Sequence, residues 1–154
     1  MKLKRGIAVR LANLCCAVIL VYCWLNLILS WNGIPESIPG HYNAAGVADR
    51  WGSRMELWIL PAVTTVFYIG ISIVERFPGI WNTGVEVTEE NRERVYGVLL
   101  FMITAMKLLL CADFTVMSGY QIRQENLPVW FLPVFLVLTF AVVVGPIIRL
   151  NQVK

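Results

Sequence analysis

Residues 11–31 read LANLCCAVILVYCWLNLILSW, and no charged side chain interrupts them. A hydrocarbon core about 30 Å thick needs roughly 20 apolar helical residues to cross it. Three further blocks meet the same requirement: residues 57–74, 95–120 and 127–148. The second and fourth are also uncharged, the fourth carrying Pro128, Pro133 and Pro146, whereas the third contains Lys107 and Asp113. The expected fold is all-α: a polytopic membrane protein with four transmembrane helices, forming a single membrane domain over residues 1–154. Composition agrees, with 58% of residues hydrophobic and 15% charged, against roughly 45–50% and 25% in soluble domains. Mean hydropathy is +0.67.

The basic start, residues 1–10, has the character of a signal-peptide leader. The apolar run behind it is too long, however, and no small-x-small cleavage site follows, so it reads as a retained first span. Basic residues then set the orientation. Lys2, Lys4, Arg5, Arg10, Arg76, Arg92, Arg94, Arg149 and Lys154 fall on one side, and Arg50, Arg54 and Arg123 on the other; Lys107 is intramembrane. This bias predicts that both termini are cytoplasmic and that residues 32–53 lie outside. The +3 net charge reflects this bias; no basic stretch is interleaved with base-stacking aromatics, so no nucleic-acid partner is expected. The lipid bilayer is the expected partner.

The polar gap between spans one and two holds IPESIPGHYNAAGVAD, residues 34–49, with the only histidine, His41. Pro35 and Pro39 restrict the backbone, Gly40 and Gly46 permit unusual dihedrals, and Asn43 and Asp49 favour turns. An ordered extracytoplasmic loop is expected, rimmed by Trp31, Trp51 and Trp58 as an interfacial aromatic belt. Ser53 and Glu56 have the spacing of a capping box, which would start helix two at Arg54. Asn82-Thr-Gly84 signals a turn, and Thr88 followed by two glutamates signals the start of helix three.

Lys107 sits mid-span, where a charge costs about 2.5–3.5 kcal/mol on insertion scales. Asn13 or Asn26 of span one, or the fourth helix, are its expected partners if it is structural; a buried polar site under the loop is the functional alternative. Asp113 lies about 9 Å further along and about 120° around the helix. That offset argues against a Lys107–Asp113 bridge and directs Asp113 towards His41, Arg50 or Arg54. His41 itself is open to three readings: metal ligand, proton-sensitive switch or hydrogen-bond anchor. Metal needs about three or four ligands, and the loop supplies few, so no metal and no cofactor is assigned. No nucleophile–base pair argues for an enzyme. Cys15, Cys16, Cys23 and Cys111 lie within spans and form no CxxC pair, which suits small apolar filler.

The run IPGHYNAAGVADRWGSR resembles the pattern I-P-x-H-x-N-x-x-G-x-x-D of a bacterial membrane family, the domain of unknown function numbered 1648. That domain is also the N-terminal part of SdpI-type immunity proteins. NTGVEVTEENRERVYGVLLFMITAMK is similar to the second half of its short members, and the likeness covers roughly residues 31–113. The matching positions are Pro39, His41, Asn43, Gly46 and Asp49. The two further spans and C-terminal domain of SdpI-type proteins are not found here. The resemblance implies a bacterial cytoplasmic membrane and, as partner, a toxic or signalling peptide. Three function classes follow: a binding or immunity-type protein whose loop recognises a membrane-active peptide or lipid; a small enzyme or transporter subunit using His41, Asp49, Asp113 and Lys107; and a structural accessory subunit in a homo-oligomer or with a membrane partner.

Overall fold

The computed structural model describes residues 5–153, so Lys2, Lys4 and Lys154 lie outside the described residues. Helix α1 (Ile7–Ser30) passes through a 3-10 turn (Trp31–Gly33) into two antiparallel strands, β1 (Ser37–Tyr42) and β2 (Ala48–Ser53). A second 3-10 turn (Arg54–Trp58) feeds α2 (Ile59–Val74). A third (Pro78–Ile80) lies in the connection to α3 (Arg92–Arg123), and α4 (Phe131–Val153) follows. Four helical segments are long and apolar enough to cross a membrane. The protein is a multi-pass membrane protein, with the hairpin at one end of the bundle and the 75–91 connection at the other.

Helix α3 is the axis of the bundle and packs against α1, α2 and α4. Its 32 residues span about 48 Å at 1.5 Å each, well beyond the hydrocarbon thickness. The outward faces of α1, α2 and α4 present large apolar side chains such as Leu29, Val66 and Phe140. In lipid such faces are satisfied without protein partners. Tyr22 lies on one of them, 58% exposed, rather than facing another helix; its largely apolar ring tolerates lipid.

The helix starts show why local rules shift by a few residues. Residues expected to open α2 as an α-helix form a 3-10 turn instead, and the α register begins at Ile59. Pro61 explains this: it now falls in the first turn of α2, where its missing N–H has no intrahelical acceptor to satisfy. Ser53 caps the turn by accepting from the Met55 amide at 3.3 Å, and Glu56 turns away to Arg50. At α3, Thr88 and Asn91 cap reciprocally: Thr88 N–H donates to Asn91 Oδ1 at 2.9 Å and Asn91 N–H to Thr88 Oγ1 at 3.3 Å. Asn91 fills the role that glutamate has in the usual box. Asn82 and Gly84 make the expected turn, with Gly84 at φ +65°.

Lys107 is fully buried where α1, α2 and α3 meet. Its Nζ donates to Asn13 Oδ1 at 2.6 Å and Ser72 Oγ at 3.0 Å, and pairs with Glu75 Oε1 at 2.8 Å. Thr104 Oγ1 donates to the same Glu75 oxygen at 2.9 Å. Arg5 lies 3.8 Å from the other oxygen, and Lys107 stands over the Tyr68 ring. Glu75 is the C-cap of α2, where the helix dipole opposes a negative charge. Lys107 compensates both that mismatch and its own burial. Asn13 is the partner expected from the sequence, and Asn26 and the fourth helix make no hydrogen bond to the ammonium.

Removing one partner of such a pair leaves a buried charge unmatched, which costs about 3–5 kcal/mol. Lys107→Met is expected to destabilise the detergent-solubilised protein by about that amount, with Lys107→Met/Glu75→Leu regaining most of the loss. Equilibrium unfolding measures it, and a Lys107→Met variant as stable as the parent would refute the assignment.

Candidate functional site

The loop expected between the first two spans is a β-hairpin, an element that the sequence reading does not contain. Its strands carry Pro39, Gly40 and Gly52, all poor strand formers. They are tolerated because the sheet has only two strands, so both are edges. The ladder runs from Ser37↔Ser53 through Pro39↔Trp51 and His41↔Arg50 to Tyr42↔Ala48. Gly40 and Asp49 are the extra residues at its two irregularities. Bulges re-aim side chains, and here Asp49 meets His41, with Nδ1 to Oδ1 at 2.6 Å. A carboxylate at Nδ1 favours the tautomer with its proton there and leaves Nε2 as the free nitrogen. Both side chains remain substantially exposed.

Absence of side chains at two glycines accommodates a second charged pair. Arg50 donates to Glu56 at 2.8 and 3.2 Å and to the Gly40 carbonyl at 2.8 Å. A Cβ at Gly40 would meet the Arg50 guanidinium, and one at Gly52 would meet the Glu56 carboxylate. Arg54 pairs with Glu36 at 3.1 Å and stacks over Trp31. Both arginines are therefore engaged within the hairpin region, and neither pairs with Asp113 as the sequence suggested.

The hairpin is anchored at two places. At its base, Ile34 and Ile38 pack with Leu27 and Leu57, beside Trp31 and Trp58. At its tip, Asn43 Oδ1 accepts from the amides of Ala45 and Val47 at 2.9 and 3.1 Å, shaping the turn. Gly46 adopts φ +81°, and its carbonyl accepts from the Leu127 amide at 2.8 Å. A Cβ there would strike the Leu127 carbonyl. Ala48 N–H donates to Asn126 Oδ1 at 2.9 Å, and Tyr42 Oη donates to the Glu125 carbonyl at 3.0 Å. The α3–α4 linker, 124–130, is thus the hairpin's dock. The sequence reading missed this role; the turn-forming Asn126–Pro128 step was the available signal.

Between hairpin tip, linker and helices lies a cavity of about 400 Å³. His41, Tyr42, Asn43 and Gly46 line its hairpin side, and Phe131, Leu132 and Phe135 its α4 side. Asp113 and Met117 line it from α3. Asp113 is only 9% exposed, and among the described residues it has no hydrogen-bond or ion-pair partner. The structure thus brings Asp113 to one cavity with His41, while Lys107 sits apart in its network with Glu75. The four residues grouped for enzyme or transporter chemistry do not share a site. Two potential metal ligands, His41 and Asp49, meet on the hairpin; among the described residues no three His, Cys, Asp or Glu converge.

Residues 17–65 match the model of a family described as Domain of unknown function (DUF1648). The stretch 17–65 is thus similar to that family's domain. The match runs from within α1 through the whole hairpin into α2, so Pro39, His41, Asn43, Gly46 and Asp49 all fall inside it. An uncharacterized protein of the archaeon Archaeoglobus fulgidus is 28% identical over 138 residues, covering 80% of this chain and 75% of its own. No solved structure matches.

Two outcomes follow from the clasp between the hairpin and its dock. Gly46→Ala places a side chain at a left-handed φ and against a carbonyl, and is expected to lower stability by about 1–3 kcal/mol; thermal unfolding reads this. Burial pushes the Tyr42 phenol up to about 12 from 10.0. A raised phenol favours the neutral form, so its contribution is complete below pH 10 and is lost between about 10 and 12. The melting temperature of the parent should fall more steeply over that window than that of Tyr42→Phe; parallel curves would show that the phenol does not hold the dock.

Proposed function

We propose that this protein is a binding protein of the immunity type, whose hairpin end recognises a membrane-active peptide or a lipid. The proposal places the protein in the cytoplasmic membrane with both termini cytoplasmic and the hairpin outside. The placement rests on Arg5, Arg10, Arg76, Arg92, Arg94 and Arg149 at one end against Arg50, Arg54 and Arg123 at the other. The resemblance of the 34–49 motif to that of SdpI-type proteins motivates the immunity role.

One observation carries the reading: the cavity has polar walls from the hairpin tip and apolar walls from α4. Such a lining suits an amphipathic ligand approaching from the membrane surface. His41, oriented by Asp49, supplies a hydrogen-bonding nitrogen at the cavity wall. Asn43 and Gly46 shape the turn that carries this wall, and Pro39, fully buried, fixes its base. The motif positions thereby acquire distinct tasks in one recognition element.

Expression in a cell sensitive to a membrane-active peptide is expected to raise the inhibitory concentration several-fold. His41→Ala and Asp49→Asn should each remove most of the gain at equal membrane levels of protein. Unchanged tolerance across a panel of such peptides would defeat the immunity reading, and a shift confined to lipid-disrupting agents would make the ligand a lipid.

A further inference from the structure

We propose that the Asp113 cavity is a site for an alkylammonium group, borne on an apolar ligand that carries no neighbouring phosphate. The inference rests on the binding role proposed above and names the chemistry that the site selects. Asp113 is 9% exposed, lines the cavity, and lacks a partner among the described residues. Buried carboxylates are ordinarily paired, and among the described residues the other buried charged side chains are: Glu75 and Lys107 satisfy each other. Asp113 has no such partner among them and lines the cavity.

The walls define what fills that space. Phe131, Leu132, Phe135 and Met117 offer apolar surface for a hydrocarbon stem. Aromatic faces also attract an ammonium group. Among the described residues, no lysine or arginine lines the cavity. A phosphate drawn in beside Asp113 would therefore meet a like charge, and the one basic side chain on the wall, His41, is already held by Asp49. That excludes anionic headgroups and disfavours zwitterionic phospholipids, leaving a simple cation on an apolar chain. The volume, about 400 Å³, falls within the roughly 300–1,000 Å³ common for small-ligand pockets. Asp113 lies ten residues before the end of α3 at Arg123, about 15 Å along the helix, so the ligand enters past the hairpin tip.

Native mass spectrometry of the protein in a neutral maltoside detergent tests this, with decylamine, decanol, decanoate and dihexanoyl phosphatidylethanolamine as probes. The parent is expected to retain one decylamine and none of the other three. Asp113→Asn, nearly isosteric, should weaken decylamine retention at least tenfold. Leu132→Trp fills the cavity from the opposite wall, leaves the carboxylate in place, and should also block retention, which covers failure of the first variant to fold. Equal retention of decylamine by both variants, or of decanol or the phospholipid by the parent, would overturn the proposal. Loss of tolerance in His41→Ala without decylamine binding would sink this inference and leave the recognition role standing; binding without any tolerance phenotype would do the reverse.

Discussion

Lys107 and Glu75 constrain everything else in the bundle. An ammonium group and a carboxylate inside a span must find each other and fill their remaining hydrogen-bonding capacity. They do so with Asn13, Ser72 and Thr104, which draws donors and acceptors from three helices to one point. That point sets the rotation of α3 about its axis. Once Lys107 faces α1 and α2, the helical repeat turns Asp113 about a third of a revolution away, towards α4 and the hairpin. The unpaired carboxylate of Asp113 is thus a geometric consequence of the paired ammonium of Lys107 six residues earlier.

The hairpin end is assembled from segments far apart in the chain. Residues 37–53 supply the strands, 125–127 the dock, and α3 and α4 the remaining walls. Backbone groups do much of the joining, since Gly46 and Leu127 meet through main-chain atoms. A side chain at position 46 is excluded by both conformation and space. The motif's spacing then has a physical reading. Asn43 and Gly46 are fixed by the turn, and His41 and Asp49 are matched across a bulged ladder.

Hydropathy made the four spans legible, because a bilayer demands long apolar runs whatever the fold. Span ends were legible less well. Pro61 shifted α2 by its missing donor, and α3 begins only at Arg92, beyond the two glutamates expected in its first turn. The hairpin was invisible because residues 34–53 contain prolines and glycines that depress strand propensity, and only the dock and the 3-10 turn complete its pairing. Glu75 lies just past the second apolar block, and no local rule reveals its partner thirty-two positions later. The Asn13 contact to Lys107 was anticipated because both are polar in apolar runs. Asp113 was rightly separated from Lys107 by helical phase, whereas Arg50 and Arg54 were already committed to Glu56 and Glu36, partners that only the folded hairpin brings near.

The Gly46–Leu127 clasp closes residues 46–127 into a noncovalent ring. That ring contains β2, α2, the far connection and the whole of α3, while α1 with β1 and α4 lead into it from either side. Within the ring, Lys107 and Glu75 form a second tie across its middle. The Asn82–Gly84 turn is therefore doubly bridged: a chain break there separates two pieces that remain joined at the clasp and at the ion pair. In topological terms the molecule is a pair of two-helix units, each carrying one half of both fastenings.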